Sequence, residues 1–322
     1  PPPPLNDTPP TEIYTLELSS AASDVYKRQV RDIYGPGADL SITARGFRGI
    51  EDFEDPVPEG VTRIVCAGDS FTLGYGVGDE DTWCAHLGRA PGVETVNMGQ
   101  GGYGADQMYL WYARDATFDH DVVIFAFITD DFERARTSRF LVYSKPILGL
   151  SGDTVAPLNV PVPDCSLQAA ACDTRRVGIG RVLDKLSMAR VAERLVRKVN
   201  WRLNRGRRPP PPTADEVEIM RRVLRSTKRQ ATRRGAELVT VLLPKVEDYA
   251  NDWADTWRQM AEEEAEQGGW EFWDLTLPLR DLAPLDAARL FRDLDGHYTP
   301  EGNRWVAAQL LANRERGGRA RD

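Results

Sequence analysis

Short apolar runs that alternate with helical segments constrain the fold of this chain more than any other feature of its sequence. Each run is short enough to be a strand buried on both faces of a sheet. The runs cover residues 63–67, 93–98, 122–127, 236–243 and 271–275, and the helical segments between them include 82–89, 106–116 and 216–234. Strands that alternate with helices favour a parallel sheet covered on both faces. The sequence therefore predicts an α/β protein, a three-layer α/β/α sandwich around a doubly wound, five-stranded parallel sheet.

The composition is that of a globular chain with an acidic balance. Among 322 residues, 49 Asp and Glu stand against 41 Lys and Arg, and the net charge of −8 disfavours nucleic-acid binding through the whole surface. No apolar run approaches the roughly 20 residues that cross a bilayer. The four cysteines form no CxxC pair, which excludes a zinc ribbon, and only Cys165 and Cys172 are close enough in sequence to suggest a bridge. Any imidazole chemistry has to use His86, His120 or His297.

The chain divides into an N-terminal segment and one domain. Residues 1–45 are predicted to be disordered or extended, and because they begin with proline rather than Met we expect the N-terminus to be incomplete. Residues 19–29 resemble a string that recurs in translated, machine-assembled environmental sequence, so we interpret residues 1–30 as partly non-native. Residues 46–322 form the predicted domain, with a variable insertion at about 133–212. No secretory signal is visible, and the sequence assigns no compartment.

One segment of the insertion carries the opposite charge. Residues 175–208 hold twelve Lys and Arg against two acidic residues, a net of +10 that leaves −18 on the rest of the chain. Apolar residues recur there at helical spacing, which predicts a basic amphipathic helix over 179–208. We interpret it as a surface helix or flap on the acidic domain. The alternative is peripheral contact with an anionic membrane or partner.

Polar residues follow the predicted strands at their carboxyl ends, where open α/β sheets bind ligands. Ser70 follows the first strand in a Gly-Asp-Ser turn, and a glycine-rich loop that contains Gly102 follows the second. Asp295 and His297 come just before a helix predicted to begin near Thr299. An aspartate in this position can hold the imidazole in one tautomer. Together the loops offer a nucleophile, backbone donors for an oxyanion and an Asp/His pair.

Each of these motifs alone has a plainer interpretation. A Gly-Asp-Ser triplet is also typical of an ordinary turn with a helix N-cap. The glycine-rich loop is compatible with a phosphate cradle as well as with an oxyanion donor, although it lacks the Gly-Lys-Ser/Thr of a P-loop. A lone histidine is most often structural, and only its position beside a strand-end serine favours catalysis.

Taken together, the loops resemble the motif blocks of the SGNH (GDSL-type) hydrolases, from roughly residue 46 to the C-terminus. The string Gly-Asp-Ser-Phe-Thr at 68–72 is similar to the nucleophile block, which implies that Ser70 is the nucleophile. Gly102 matches the glycine whose amide serves the oxyanion hole. Asp295 and His297 match the last block in a short Asp-x-His form, where many members have Asp-x-x-His. The resemblance implies a flavodoxin-like sandwich, a Ser–His–Asp triad, and neither metal nor organic cofactor.

The third block departs from the family pattern. Members usually carry Gly-x-Asn-Asp, whose Asn side chain donates to the oxyanion, whereas this chain has Thr-Asp-Asp at 129–131 with Asp130 in the Asn position. An ionised carboxylate does not donate and repels an oxyanion. Either Asp130 is protonated, or Thr129 replaces it, or the hole relies on the amides of Ser70 and Gly102. The candidate oxyanion hole therefore comprises Ser70, Gly102 and Asp130.

These inferences predict a serine hydrolase that cleaves carboxylic esters through a covalent acyl-enzyme. Two alternatives stay open: an O-acyltransferase that uses the same triad on a sugar or another alcohol, and a catalytically weak binding module. The expected partner is a small-molecule, lipid or carbohydrate ester, without nucleic acid, metal or cofactor.

Overall fold

The structure of the protein, a computed structural model, describes residues 28–140, 143–162 and 211–321. Its strands, in chain order, are β1 (Arg28–Val30), β2 (Leu40–Ile42), β3 (Thr62–Gly68), β4 (Val93–Gly99), β5 (Val122–Phe127), β6 (Arg139–Phe140), β7 (Tyr143–Ser144), β8 (Leu148–Ser151), β9 (Thr154–Pro157), β10 (Glu237–Leu242) and β11 (Glu271–Asp274). Its α-helices are α1 (Ser70–Leu73), α2 (Trp83–Leu87), α3 (Ala105–Asp115), α4 (Thr129–Arg134), α5 (Ala214–Arg233), α6 (Asp255–Gly268), α7 (Thr276–Arg280), α8 (Pro284–Arg289) and α9 (Pro300–Arg321).

Five of the strands form one parallel sheet in the order β11-β10-β5-β3-β4. These are the five strands predicted from the apolar runs, and the fold class is confirmed. At the end of β3, Gly68 pairs with Gly99 of β4 and Ala126 of β5. Because the strands are parallel, their carboxyl ends meet at one edge of the sheet, which we call the carboxyl edge. The loops that follow β3, β4, β5 and β10 are therefore neighbours in space.

Helices cover both faces of this sheet and complete the three-layer sandwich. Side chains of β3 alternate between two cores: Val65 and Ala67 lie in one, Ile64 and Cys66 in the other, all at most 2% exposed. Helices α3, α5 and α6 pack in the first core, and α2, α7, α8 and α9 pack in the second. A strand with two buried faces needs apolar residues at both parities, which explains the uninterrupted apolar runs in the sequence.

Capping residues set the ends of the predicted helices. Before α5, the Thr213 hydroxyl accepts the Glu216 N–H at 3.4 Å, and the Glu216 carboxylate accepts the Thr213 N–H at 2.7 Å. Helix α2 is shorter than the predicted 82–89 because Thr82 is its N-cap and Gly88 its C-cap. Side-chain caps of this kind satisfy N–H groups that have no partner inside the helix.

Arg48 ties the residues before the sheet to the turn after α1. Strands β1 and β2 pair as an antiparallel hairpin. The Arg48 side chain, 1% exposed, donates to the carbonyl oxygens of Gly74 and Val77 at 2.8 Å and pairs with Asp79 at 2.9 Å. In β2, the Ser41 N–H donates to the same carboxylate at 3.1 Å. The domain boundary near residue 46 stays a prediction.

A disulfide joins Cys66 of β3 to Cys84 of α2. The sequence had singled out Cys165 and Cys172 instead, and these two lie outside the described residues, as does the predicted basic helix 179–208. Both bridged cysteines are at most 1% exposed, so the bond links the sheet to a helix inside the core.

The described part of the predicted insertion forms two antiparallel hairpins, β6–β7 and β8–β9. Between them, Lys145 donates to Asp106 of α3 at 2.6 Å, and both side chains are at most 2% exposed. Burial raises the pKa of Asp106, and the charge of Lys145 opposes this only in part. This buried pair holds the insertion against the first turn of α3.

Candidate active site

Ser70 lies at the carboxyl edge, where the turn after β3 leads into α1. The Asp69 side chain caps α1 by accepting the Phe71 N–H at 2.8 Å. A Cβ at Gly68 would lie 1.9 Å from the Thr72 hydroxyl, so this position requires glycine. Ser70 is the first residue of α1 and is 7% exposed. The local sequence thus holds the hydroxyl at the edge where the other loops meet.

His297 meets Ser70 from the far end of the chain. Its Nε2 lies 2.9 Å from Ser70 Oγ across a separation of 227 residues. The loop that carries the histidine is closed by the Arg292 N–H, which donates to the His297 carbonyl at 2.8 Å. The rings of Phe71 and Tyr75 each lie 4.8 Å from the imidazole, centroid to centroid. These contacts hold the imidazole against the serine hydroxyl.

Asp295 contacts the other imidazole nitrogen. Its Oδ1 lies 3.3 Å from His297 Nδ1, and its Oδ2 lies 3.5 Å from a guanidinium nitrogen of Arg292. Gly296, between them, takes a φ of +74°, which lets the two-residue spacing bring the carboxylate back to the ring. Partial burial raises the pKa of Asp295, but the hydrogen bonds from His297 and the charge of Arg292 lower it more, so the pKa lies below its ordinary value. Asp295 is therefore ionised at neutral pH.

Gly102 lies in the loop after β4, beside the turn that holds Ser70. The Gln100 N–H donates to the Gly68 carbonyl at 3.0 Å and joins the two loops. Gly102 takes a φ of +76°, and a Cβ there would lie 2.3 Å from the Phe140 ring, so glycine is required. Within residues 28–140, 143–162 and 211–321, no acceptor pairs with the Gly102 N–H. An N–H group without an acceptor there is available to donate a hydrogen bond to a developing oxyanion.

Arg134 connects the loops that follow three neighbouring strands. Its Nη1 donates to Asp69 Oδ2 at 2.9 Å, to Asp131 Oδ1 at 2.6 Å and to the Tyr103 carbonyl at 3.2 Å. Both carboxylates are fully buried, and the Arg134 side chain is 17% exposed. Asp69 and Tyr103 are the sequence neighbours of two candidate oxyanion residues. One guanidinium therefore fixes the relative position of the segments that carry them.

Asp130 forms an ion pair with Lys245 of the loop after β10. The Lys245 Nζ lies 2.5 Å from Asp130 Oδ1. Partial burial raises the pKa of Asp130, but the charges of Lys245 and Arg134 lower it more, and the pKa lies below its ordinary value. An ionised carboxylate has no proton to donate, so this geometry disfavours Asp130 as an oxyanion donor. Thr129 is 6% exposed at the start of α4, and the backbone amides of the loops after β3 and β4 are the clearer donors.

Three cations of this site, Arg134, Lys245 and Arg292, were not among the candidates from the sequence. Lys245 lies just beyond the end of β10, so the strand-end rule that singled out Ser70 applies to it as well. Arg134 gave no local signal, because its partners depend on which strands are adjacent.

The other two histidines have structural contacts. His120 Nε2 lies 2.8 Å from the Tyr112 hydroxyl, and its Nδ1 lies 2.9 Å from the Phe118 carbonyl oxygen. His86 Nδ1 lies 2.7 Å from the Arg89 guanidinium. Contacts of this kind are typical of structural histidines.

A groove of about 470 Å³ lies at the opposite edge of the sheet, beside Thr62 and Val122 at the beginnings of their strands. Because a strand rises about 3.3 Å per residue, the seven residues of β3 separate this groove from Ser70 by roughly 20 Å. The groove is therefore distinct from the candidate active site.

Among the described residues, no group of three or more His, Cys, Asp and Glu side chains is placed to hold a metal ion. The helices of those same residues include none that is both long enough and apolar enough to cross a membrane.

Comparisons with known proteins find likeness in structure rather than in sequence. No family model matches the chain, and no curated protein matches it. Among solved structures, a member of the lipolytic protein G-D-S-L family from Veillonella parvula is 13% identical and matches with a TM-score of 0.44, covering 78% of this chain and 97% of that chain. The lipase/acylhydrolase from Enterococcus faecalis is 12% identical, with a TM-score of 0.44 and coverage of 80% and 97%.

A third solved structure is a catalytic mutant of an acetylxylan esterase from Geobacillus stearothermophilus, 14% identical with a TM-score of 0.44 and coverage of 78% and 93%. At identities and TM-scores this low, the likeness carries no argument about what this chain does. The activity of this chain has to be argued from its own residues.

Proposed function

We propose that the protein is a serine hydrolase of the SGNH (GDSL-type) family, which cleaves carboxylic esters through an acyl-enzyme on Ser70. The observation that carries this proposal is the 2.9 Å contact between Ser70 Oγ and His297 Nε2 at the carboxyl edge of the sheet. A hydroxyl is a weak nucleophile at neutral pH, and a base within hydrogen-bond distance is what activates it.

In the proposed acylation step, His297 Nε2 accepts the Ser70 proton while Oγ forms a bond to the ester carbonyl carbon. Asp295 accepts a hydrogen bond from Nδ1–H, which keeps Nε2 unprotonated before the step and stabilises the imidazolium after it. Nε2–H then donates its proton to the leaving alkoxide as the C–O bond breaks. The alcohol departs, and the acyl group stays on Ser70.

The oxyanion of the tetrahedral intermediate needs donors placed in advance. We assign this role to the backbone N–H groups of Ser70 and Gly102. Arg134, which holds Asp69 and the Tyr103 carbonyl, supports the proposal because it fixes both segments. Deacylation repeats the cycle, with water in place of the serine hydroxyl.

Hydrolysis of p-nitrophenyl acetate by the wild type, Ser70→Ala and Ser151→Ala tests this function. Ser151 is exposed on β8 and serves as the matched control. We expect Ser70→Ala to lower kcat by about 10⁴-fold or more and Ser151→Ala to leave it unchanged. A fluorophosphonate should add one phosphonyl group to the peptide that contains Ser70.

Wild-type turnover that survives Ser70→Ala would refute the assignment. Turnover that appears only when an alcohol acceptor is added would favour the acyltransferase alternative. Absence of turnover and of labelling would favour the binding module.

A further inference from the structure

The surroundings of Ser70 contain more carboxylates than cations. Asp69, Asp130, Asp131 and Glu133 lie in the turn before α1 or in α4, whereas the same two segments contribute one cation, Arg134. The reaction proposed above adds a further negative charge at the substrate oxygen. Each uncompensated carboxylate near that oxygen raises the free energy of the transition state.

Arg134 is already engaged by the two most buried of these carboxylates. Its Nη1 donates to Asp69, to Asp131 and to the Tyr103 carbonyl. Asp130 has no direct ion pair with Arg134 among the described residues. A cation that pairs with Asp130 therefore comes from another segment of the chain.

Lys245 is that cation. Its Nζ lies 2.5 Å from Asp130 Oδ1, where 18% of the lysine side chain and 42% of the aspartate side chain are exposed, so water screens part of the Asp130 charge and the ammonium neutralises it on the protein side. Asp130 lies in the first turn of α4, the helix that follows β5, and β5 is the strand next to β3. The pair thus lies one strand away from the turn that carries Ser70.

The loop that carries Lys245 is held in place by the segment that contains His297. The Tyr298 hydroxyl donates to the Pro244 carbonyl at 2.7 Å, and Tyr298 directly follows His297. The Lys245 N–H donates to Asp248 at 2.8 Å. Lys245 is therefore positioned by the same segment that positions the imidazole, a link that a surface lysine does not need.

We propose that Lys245 is a positioning residue of the active site, which neutralises the Asp130 carboxylate and draws it away from the developing oxyanion. This inference rests on the proposed function. It predicts that loss of the Lys245 charge slows hydrolysis only when residue 130 is an acid. A purely structural lysine has no such dependence.

The test measures p-nitrophenyl acetate hydrolysis in wild type, Lys245→Met, Lys245→Arg and the double variant Asp130→Asn/Lys245→Met. We expect Lys245→Met to lower kcat by about 10- to 100-fold with KM changed less than about threefold, because the charge acts on the transition state. Lys245→Arg should retain the activity. The double variant should return to within about threefold of the wild type, because the isolated acid is gone. Lys228→Met, on α5, is the control for loss of a lysine.

Unchanged kcat in Lys245→Met overturns the inference, and so does a double variant as slow as Lys245→Met. Thermal unfolding accompanies each variant, and Lys245→Gln replaces Lys245→Met if the latter does not fold. If Lys245→Met and Lys245→Gln both fail to fold while the double variant folds, the ion pair contributes to stability rather than to catalysis, and the inference fails. A wild type without Ser70-dependent hydrolysis overturns the proposed function and this inference with it, whereas the other outcomes overturn this inference alone.

Discussion

Arg134 donates to the Asp69 carboxylate, 2.9 Å from Nη1 to Oδ2, immediately before the serine of the candidate site. The same nitrogen serves Asp131, so two buried carboxylates share one guanidinium. Burial raises the pKa of Asp131 well above its ordinary value, the charge of Asp69 raises it further, and Arg134 opposes both. The turn that carries Ser70 therefore depends on a cation that lies 65 residues further along the chain.

Arg134→Met should destabilise the protein by about 3–5 kcal/mol, because it leaves buried carboxylates without their partner. Urea unfolding at pH 7 measures the change. The matched control is Arg136→Met, which removes the ion pair between partly exposed Arg136 and Glu216 and should cost no more than about 1 kcal/mol. Equal losses in the two variants would contradict the role of Arg134.

Asp295→Asn should lower kcat by about 10²- to 10⁴-fold, because an amide does not stabilise the imidazolium and can select the wrong tautomer. Steady-state kinetics at pH 7–8 measures the loss. The structure offers Asp293, an exposed carboxylate in the same loop, as the control. A loss of this size in Asp293→Asn, with Asp295→Asn nearly as active as the wild type, would show that Asp293 rather than Asp295 is the acid of the triad.

Asp130→Asn should keep or raise esterase activity. The change removes a negative charge from the carboxyl edge and introduces a neutral amide that can donate. The measurement is the rate at which the wild type and Asp130→Asn hydrolyse the same ester. A loss of more than about 10²-fold would mean that the carboxylate has a positive role in catalysis.

Asp248→Asn should change how stability depends on pH. Burial raises the pKa of Asp248 to about 6, although Lys245 lowers it in part. The unfolded chain releases this proton near pH 4, so the folded state loses stability as pH rises from about 4 through 6, by about 2–3 kcal/mol in total. Asparagine stays neutral throughout. Urea unfolding should show equal stability of the two proteins near pH 4 and a more stable variant at pH 8, and the reverse order would contradict this interpretation.

Cys66 and Cys84 should be oxidised in the folded protein. In Cys165→Ala/Cys172→Ala these are the two remaining cysteines. Thiol titration of this variant in denaturant should find no free thiol before reduction and both after it. Because the bond spans 18 residues, its reduction should destabilise the protein by about 3 kcal/mol. Two titratable thiols before reduction would show that the bond does not form.

Much of the architecture was predictable because the signals are local. An apolar run flanked by turn residues identifies a buried strand without knowledge of its neighbours. Thr299 was recognised as the start of the last helix by its residue type, and its hydroxyl does accept the Gly302 N–H at 3.1 Å. Ser70, Asp295 and His297 were candidates because they follow such local signals. Their catalytic roles stay a proposal.

The charges around the serine were not predictable in the same way. The Asp130 carboxylate is visible in the sequence, and considered alone it is expected to repel an oxyanion. Its partner Lys245 is 115 residues away, and only the adjacency of β5 and β10 brings the two together. The disulfide has the same origin, because Cys66 and Cys84 meet across the contact between the sheet and a helix.

The amino-acid sequence alone determined how many strands the sheet has and which class of fold they form. It also indicated which residues are able to act as nucleophile, base and acid. Only the folded chain decided that β10 lies beside β5, and with it which cation neutralises Asp130. Secondary structure depends on side chains a few positions apart, whereas a charge responds to whatever lies within several ångströms, however distant in sequence.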